Sequence, residues 1–143
     1  MNDMAGYNIM LAEMEKSLEL AKANEATAAF AGELEKAVIT LKRVTQTLLG
    51  GMLEKNIDSV LSNSAKYLDL FGNIVIAWLW LKQGLIAAEA LANTPHAADE
   101  SFYRGKLQAM QYFYRFELPE IYVWSEILEN FDTSAYDMQA DWF

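Results

Sequence analysis

His96 is the one histidine among 143 residues, and Thr94, Asp99 and Ser101 stand close to it in sequence. A hydroxyl nucleophile, an imidazole base and an orienting carboxylate make a triad only when they converge from separate elements. Here all four crowd into one turn beside Pro95, so the segment reads as a solvated loop. Helical bundles can also hold two-metal sites, built from inward Glu residues and Glu-x-x-His pairs. No Glu-x-x-His occurs, and Glu15 and Glu19, one turn apart, read as part of an acidic solvated face. Gly50-Gly51 is followed by Met52-Leu53-Glu54-Lys55, which fits neither a phosphate-cradling loop nor a dinucleotide fingerprint. With no cysteine there is no thiolate nucleophile, disulfide or Cys-ligated metal. No catalytic, cofactor-binding or metal-binding residue is therefore assigned.

Charge narrows the partners. Twenty acidic residues against 11 basic ones give a net charge of −9. Without a basic stripe to displace phosphate counterions, nucleic-acid binding is excluded. The start, Met1-Asn2-Asp3-Met4-Ala5-Gly6, lacks the basic and apolar runs of a secretory signal, which fits a cytoplasmic protein. Ile74 to Leu81 is apolar on every side, but Asp69 and Lys82 bracket a run shorter than the ~20 residues of a membrane span. A helix buried by its neighbours is expected there instead.

The elements follow from periodicity and breakers. Pro95 and Pro119 are the only prolines, and alternating strand patterns are missing, which predicts an all-α fold. A first helix is expected from Asp3 to Lys22, with Tyr7, Leu11, Met14, Leu18 and Ala21 on one face, then a break at Asn24-Glu25. The second carries Phe30, Leu34, Val38, Leu41, Thr45 and Leu48 and weakens at Gly50-Gly51, where it either ends or continues frayed to Lys55. Asn56 or Asp58 can cap a long third helix running to Ala92, and Asn93-Thr94-Pro95 stops it. Asp99 can cap the fourth, where Glu100 is placed to pair with Arg104 and Pro119 should kink or split the helix. Short connections predict an up-and-down four-helix bundle with a long central third helix. Residues 1–131 form its single domain, and 132–143 an irregular C-terminal tail.

Trp78 and Trp80 point roughly 200° apart on a helix, and Tyr112, Phe113, Tyr114 and Phe116 spread around the next one. Either both helices are central, or some of these rings meet another surface. From Phe116 onward the chain has Glu117, Glu120, Glu126, Glu129, Asp132, Asp137 and Asp141 but no Lys or Arg. Tyr122, Val123 and the pair Trp142-Phe143 stand among these acids, off the Ile121–Trp124–Leu128 stripe. That composition suits an interface with a larger body or a second copy; a frayed helix end with a disordered tail is the alternative.

Several blocks carry a family resemblance. Tyr67-Leu68-Asp69-Leu70-Phe71-Gly72 is followed by Trp78-Leu79-Trp80-Leu81, then by Phe102-Tyr103-Arg104-Gly105-Lys106-Leu107. Phe113, Leu118-Pro119 and Met138-Gln139-Ala140-Asp141-Trp142-Phe143 complete the order. Together they resemble the C-terminal helical domain of bacterial acyl-CoA dehydrogenases. The first forty residues are similar to that domain only in being helical. The resemblance implies a parent that oxidises acyl-CoA to enoyl-CoA with FAD and a glutamate base, all supplied by upstream domains. No residue here matches the glutamate motif. The implied role is a non-catalytic accessory domain, inactive alone and without FAD, serving packing or subunit contacts with the upstream dehydrogenase domains or in a homo-oligomer. A free-standing helical interaction or ligand-binding module is the alternative.

Overall fold

In the computed structural model, residues 4–54 and 57–143 are described. Helix α1, Ala5–Lys22, buries Leu11, Met14, Leu18 and Ala21, the face that their spacing predicted; Asp3 lies outside the described residues. The polar break at Asn24 makes a tight turn. The Asn24 side chain accepts from the Ala26 N–H (3.0 Å), and the Thr27 hydroxyl donates to the Ala21 carbonyl (2.8 Å). These bonds satisfy backbone groups that the ending helix leaves open. Helix α2, Ala28–Glu54, then runs back along α1, with Lys22 paired to Glu35 (2.7 Å) and Lys42 to Glu15 (3.2 Å).

Of the two outcomes expected at Gly50-Gly51 the helix takes the second, and the long third helix changes. Helix α2 continues through Gly50-Gly51 to Glu54, and a Cβ at Gly51 would collide with the Phe131 ring. The glycine there allows a close approach rather than ending a helix. The long third helix is broken in two: a short α3, Ile57–Leu61, and α4, Ser64–Ala92. Side chains compete with the helix at the break. Ser62 donates back to the Ser59 carbonyl (2.7 Å), and the Asn63 amide donates across to the Asp132 carbonyl (2.5 Å). Asp58 sits in the first turn of α3, and Asn56 lies outside the described residues.

Helix α5, Ala97–Tyr112, starts earlier than expected. Extended His96, after Pro95, takes the cap position, which puts Asp99 and Glu100 in the first turn, where the helix dipole favours acids. Arg104 meets Glu100 at 2.7 Å as predicted. Before Pro119 the helix widens into a π turn over Phe113–Glu117, where the Leu118 N–H reaches the Phe113 carbonyl (2.9 Å). A proline ring clashes with the carbonyl four residues back, and the wider turn relieves that clash. The widened turn leaves the Glu117 carbonyl for the Asn73 amide of α4, 3.2 Å away. Helix α6, Glu120–Glu129, follows the bend.

Counting α5, the π turn and α6 as one bent helix, the described residues thus form an all-α fold of five helices, four of them long, with no strand. Helix α4 packs against α1, α2, α5 and α6, and its Leu70, Ile74, Ala77 and Leu81 meet Met14, Leu34, Leu41, Met110, Tyr114 and Ile121 in one core. Residues 132–143 are irregular except for a short 3-10 turn at Ala140–Trp142.

Candidate interaction surface

The residues with chemical potential stand apart. His96, Thr94, Asp99 and Ser101 are exposed, and the Ser101 hydroxyl turns back to the Ala97 carbonyl (3.3 Å). Glu15 is held by Lys42. Among the described residues no group of three or more His, Asp or Glu is placed to hold a metal ion.

The outer face of α4 is the main feature. This helix is long and apolar enough to cross a membrane by length and composition, and only 28% of its most apolar window is buried. The expectation that neighbours bury it on all sides therefore needs correction. Leu68, Ile76, Leu79 and Ile86 share one helical face and are exposed, Leu68 at 68% and Ile86 at 61%. Sequence reasoning missed the stripe because α4 has almost no polar face to mark its solvent side.

The two tryptophans stand at the stripe's margins. Trp78 leans toward α1, where its indole N–H donates to the Ser17 hydroxyl (2.8 Å) and Lys82 lies 5.1 Å from the ring. Trp80 lies on the α5 side, with Lys106 5.5 Å from its ring. Lys106 also caps Phe102 and donates to Gln83 (3.1 Å). Gln83, Ile86, Ala87, Phe102, Tyr103 and Lys106 line a shallow groove of about 270 Å³ between the helices.

The aromatics of α5 and the π turn divide likewise. Tyr114 is buried, whereas Tyr112 and Phe116 are exposed and stack on one another, centroids 4.7 Å apart. Of the two readings of these rings, the structure favours the one in which some leave the bundle. Tyr122 and Val123 are exposed on α6, as their offset from its buried stripe predicted, and so are Trp142 and Phe143. Arg43 joins α2 to α6 by two bonds to Glu129 (2.6 and 3.2 Å), which hold its guanidinium charged more firmly still. Partial burial of the Tyr122 phenol against the bundle raises it above its ordinary pKa, and nearby Glu33 adds to this.

The arrangement can offer apolar anchors with a charged rim. A protein family described as acetyl-CoA dehydrogenase C-terminal like matches residues 10–139. A broad-specificity linear acyl-CoA dehydrogenase of Mycobacterium tuberculosis is 24% identical over 110 residues, 73% of this chain and 18% of that protein. A butyryl-CoA dehydrogenase of Syntrophomonas wolfei is 37% identical over 65 residues, 45% of this chain and 11% of that protein. The chain spans less than a fifth of the length of these relatives.

Proposed function

Because the chain belongs to the acetyl-CoA dehydrogenase C-terminal-like family, we propose that it is an accessory domain that docks on the body of an acyl-CoA dehydrogenase. The observation that carries this reading is the exposed stripe Leu68–Ile76–Leu79–Ile86. It runs for about 27 Å along α4, at 1.5 Å per residue. Isolated soluble domains rarely leave so continuous an apolar line to water. Tyr112 on α5, Phe116 in the π turn and Tyr122 and Val123 on α6 form further exposed apolar surface, with Phe116 beside Phe30 and Glu33 of α2. The chemistry of the parent, oxidation of acyl-CoA with FAD, belongs to the body; this chain contributes packing and subunit contacts in the cytoplasm. A net charge of −9 opposes adsorption to an anionic membrane surface.

A second reading, a module that self-associates, is favoured by charge segregation. Lys82 and Lys106 flank the α4 stripe, whereas the chain beyond Arg115 carries acids and no cation.

The test is co-purification of the chain with a separately expressed dehydrogenase body, beside the double variant Leu79→Ser, Ile86→Ser. Docking predicts capture of the wild type, loss of capture by the variant and unchanged melting of the variant alone. A wild type that ignores the body but sediments as a dimer supports the second reading. A wild type that does neither overturns both. The chain mixed with FAD, acyl-CoAs and an electron acceptor should show no turnover above a blank.

A further inference from the structure

The exposed stripe of α4 is complementary to itself. Gly72 and Leu79 stand two helical turns apart, so both lie on its midline. A Cβ at Gly72 would meet nothing within 4 Å, and the glycine leaves an open notch between the exposed Leu68 and Ile76, each four residues away. Leu79 stands out from the same line, 45% exposed.

The margin of the stripe toward α5 carries opposite charges at its two ends. Asp69, Ile76, Trp80 and Gln83 recur at intervals of seven, four and three residues, so they share this margin. The Asp69 carboxylate is half-exposed and lies 3.1 Å from Lys66. Lys106 of α5 reaches the same margin further along, 5.5 Å from the Trp80 ring and donating to the Gln83 side chain (3.1 Å). Asp69 and Gln83 are separated by about 21 Å along the axis, at 1.5 Å per residue.

A two-fold axis crossing α4 at right angles between Val75 and Ile76 relates these features. Rotation about it sets a second α4 antiparallel to the first and leaves each margin on its own side. Residues equally far from the axis then meet. Gly72 faces Leu79 of the second copy, a ridge opposite a notch. Asp69 comes level with Lys106 of the second copy on the shared margin, an acid opposite a base. Each match occurs twice, because the contact is the same from either chain.

We propose that two copies of this chain pair through antiparallel α4 helices, with Leu79 of each seated at Gly72 of the other and Asp69 of each paired with Lys106 of the other. The inference rests on the self-association reading above, to which it gives a face and a register. A dehydrogenase body that takes the same stripe would compete with it.

Sedimentation of the purified chain over a concentration series tests it, in about 0.15 M salt, where charge repulsion between chains is screened beyond ~8 Å. A monomer–dimer equilibrium is expected. Asp69→Lys and Lys106→Asp each set like charges opposite one another twice per pair and should weaken it at least roughly tenfold. Mixed one to one, the two variants regain both opposite-charge pairs, so they should form a dimer holding one of each. Gly72→Ala should melt higher as a monomer, through helix propensity, yet dimerise about tenfold more weakly because its methyl group fills the notch. A wild type still monomeric at about 1 mM overturns the inference and the self-association reading together. A wild type that dimerises while the mixed variants do not overturns the register and leaves self-association standing. The same holds if Asp69→Lys or Gly72→Ala dimerises as tightly as the wild type.

Discussion

The phenol of Tyr114 donates a 2.9 Å hydrogen bond to the Ala77 carbonyl, tying the last long helix to the middle of α4 inside the core. The Tyr114 ring also meets Phe30 edge-on, centroids 5.4 Å apart. Tyr114→Phe keeps the ring contact and loses the bond, so it should lower stability by about 1 kcal/mol in urea unfolding. Truncation to Ala should lower it by about 3–5 kcal/mol.

Tyr114 also predicts a pH dependence. Burial raises its pKa far above the ordinary 10.0, and burial raises that of Tyr67 too. Above about pH 10 an unfolded chain releases these protons while the folded chain retains them. Stability is therefore intact below about pH 10 and declines as the pH rises past it. Urea midpoints measured across that range should fall, and less steeply in Tyr114→Phe. Parallel declines in both proteins would show that Tyr114 takes no part.

Adjacent glycines in α2 should respond in opposite directions. A Cβ at Gly50 meets nothing within 4 Å, whereas one at Gly51 strikes the Phe131 ring. Gly50→Ala should raise stability by about 0.5–1 kcal/mol through helix propensity. Gly51→Ala must displace Phe131, whose backbone is held at a φ of 50°, and should lower stability by about 1–3 kcal/mol. Thermal melts that place both variants on the same side of the wild type would contradict this packing.

Asn73 should matter through the bend. Its amide serves the Glu117 carbonyl in the π turn. Asn73→Ala leaves that carbonyl without its α4 donor and should lower stability by about 1 kcal/mol. Hydrogen exchange should then quicken around residues 113–121 more than in α1.

Core aliphatics should outweigh the tryptophans. Ile74 and Leu81 are fully buried, whereas Trp78 and Trp80 are only partly so. Ile74→Ala and Leu81→Ala should each lower stability by about 2–5 kcal/mol. Denaturant midpoints should fall further for these two than for Trp80→Ala.

What the chain determines by itself is local. The Leu11–Met14–Leu18–Ala21 face, the turn at Asn24, the stop at Asn93 and the bend at Pro119 were all legible in the sequence. Each rests on backbone chemistry or apolar spacing within a few residues. The resemblance to acyl-CoA dehydrogenase C-terminal domains was legible too, in the blocks from Tyr67 on, although the family match reaches back to residue 10, into the stretch read as similar only in being helical, and ends at 139. The open face of α4 was not, because periodicity identifies a solvent side only where apolar and polar residues alternate around the helix. Helix α4 is apolar nearly all round, so its partners decide which residues stay in water. Nor could spacing show that Gly51 makes room for Phe131, that Asn73 meets Glu117, or that Tyr7 and Tyr67 pack on one Phe71 ring. Those pairs lie 80, 44 and 60 residues apart in the chain and meet only when the helices pack.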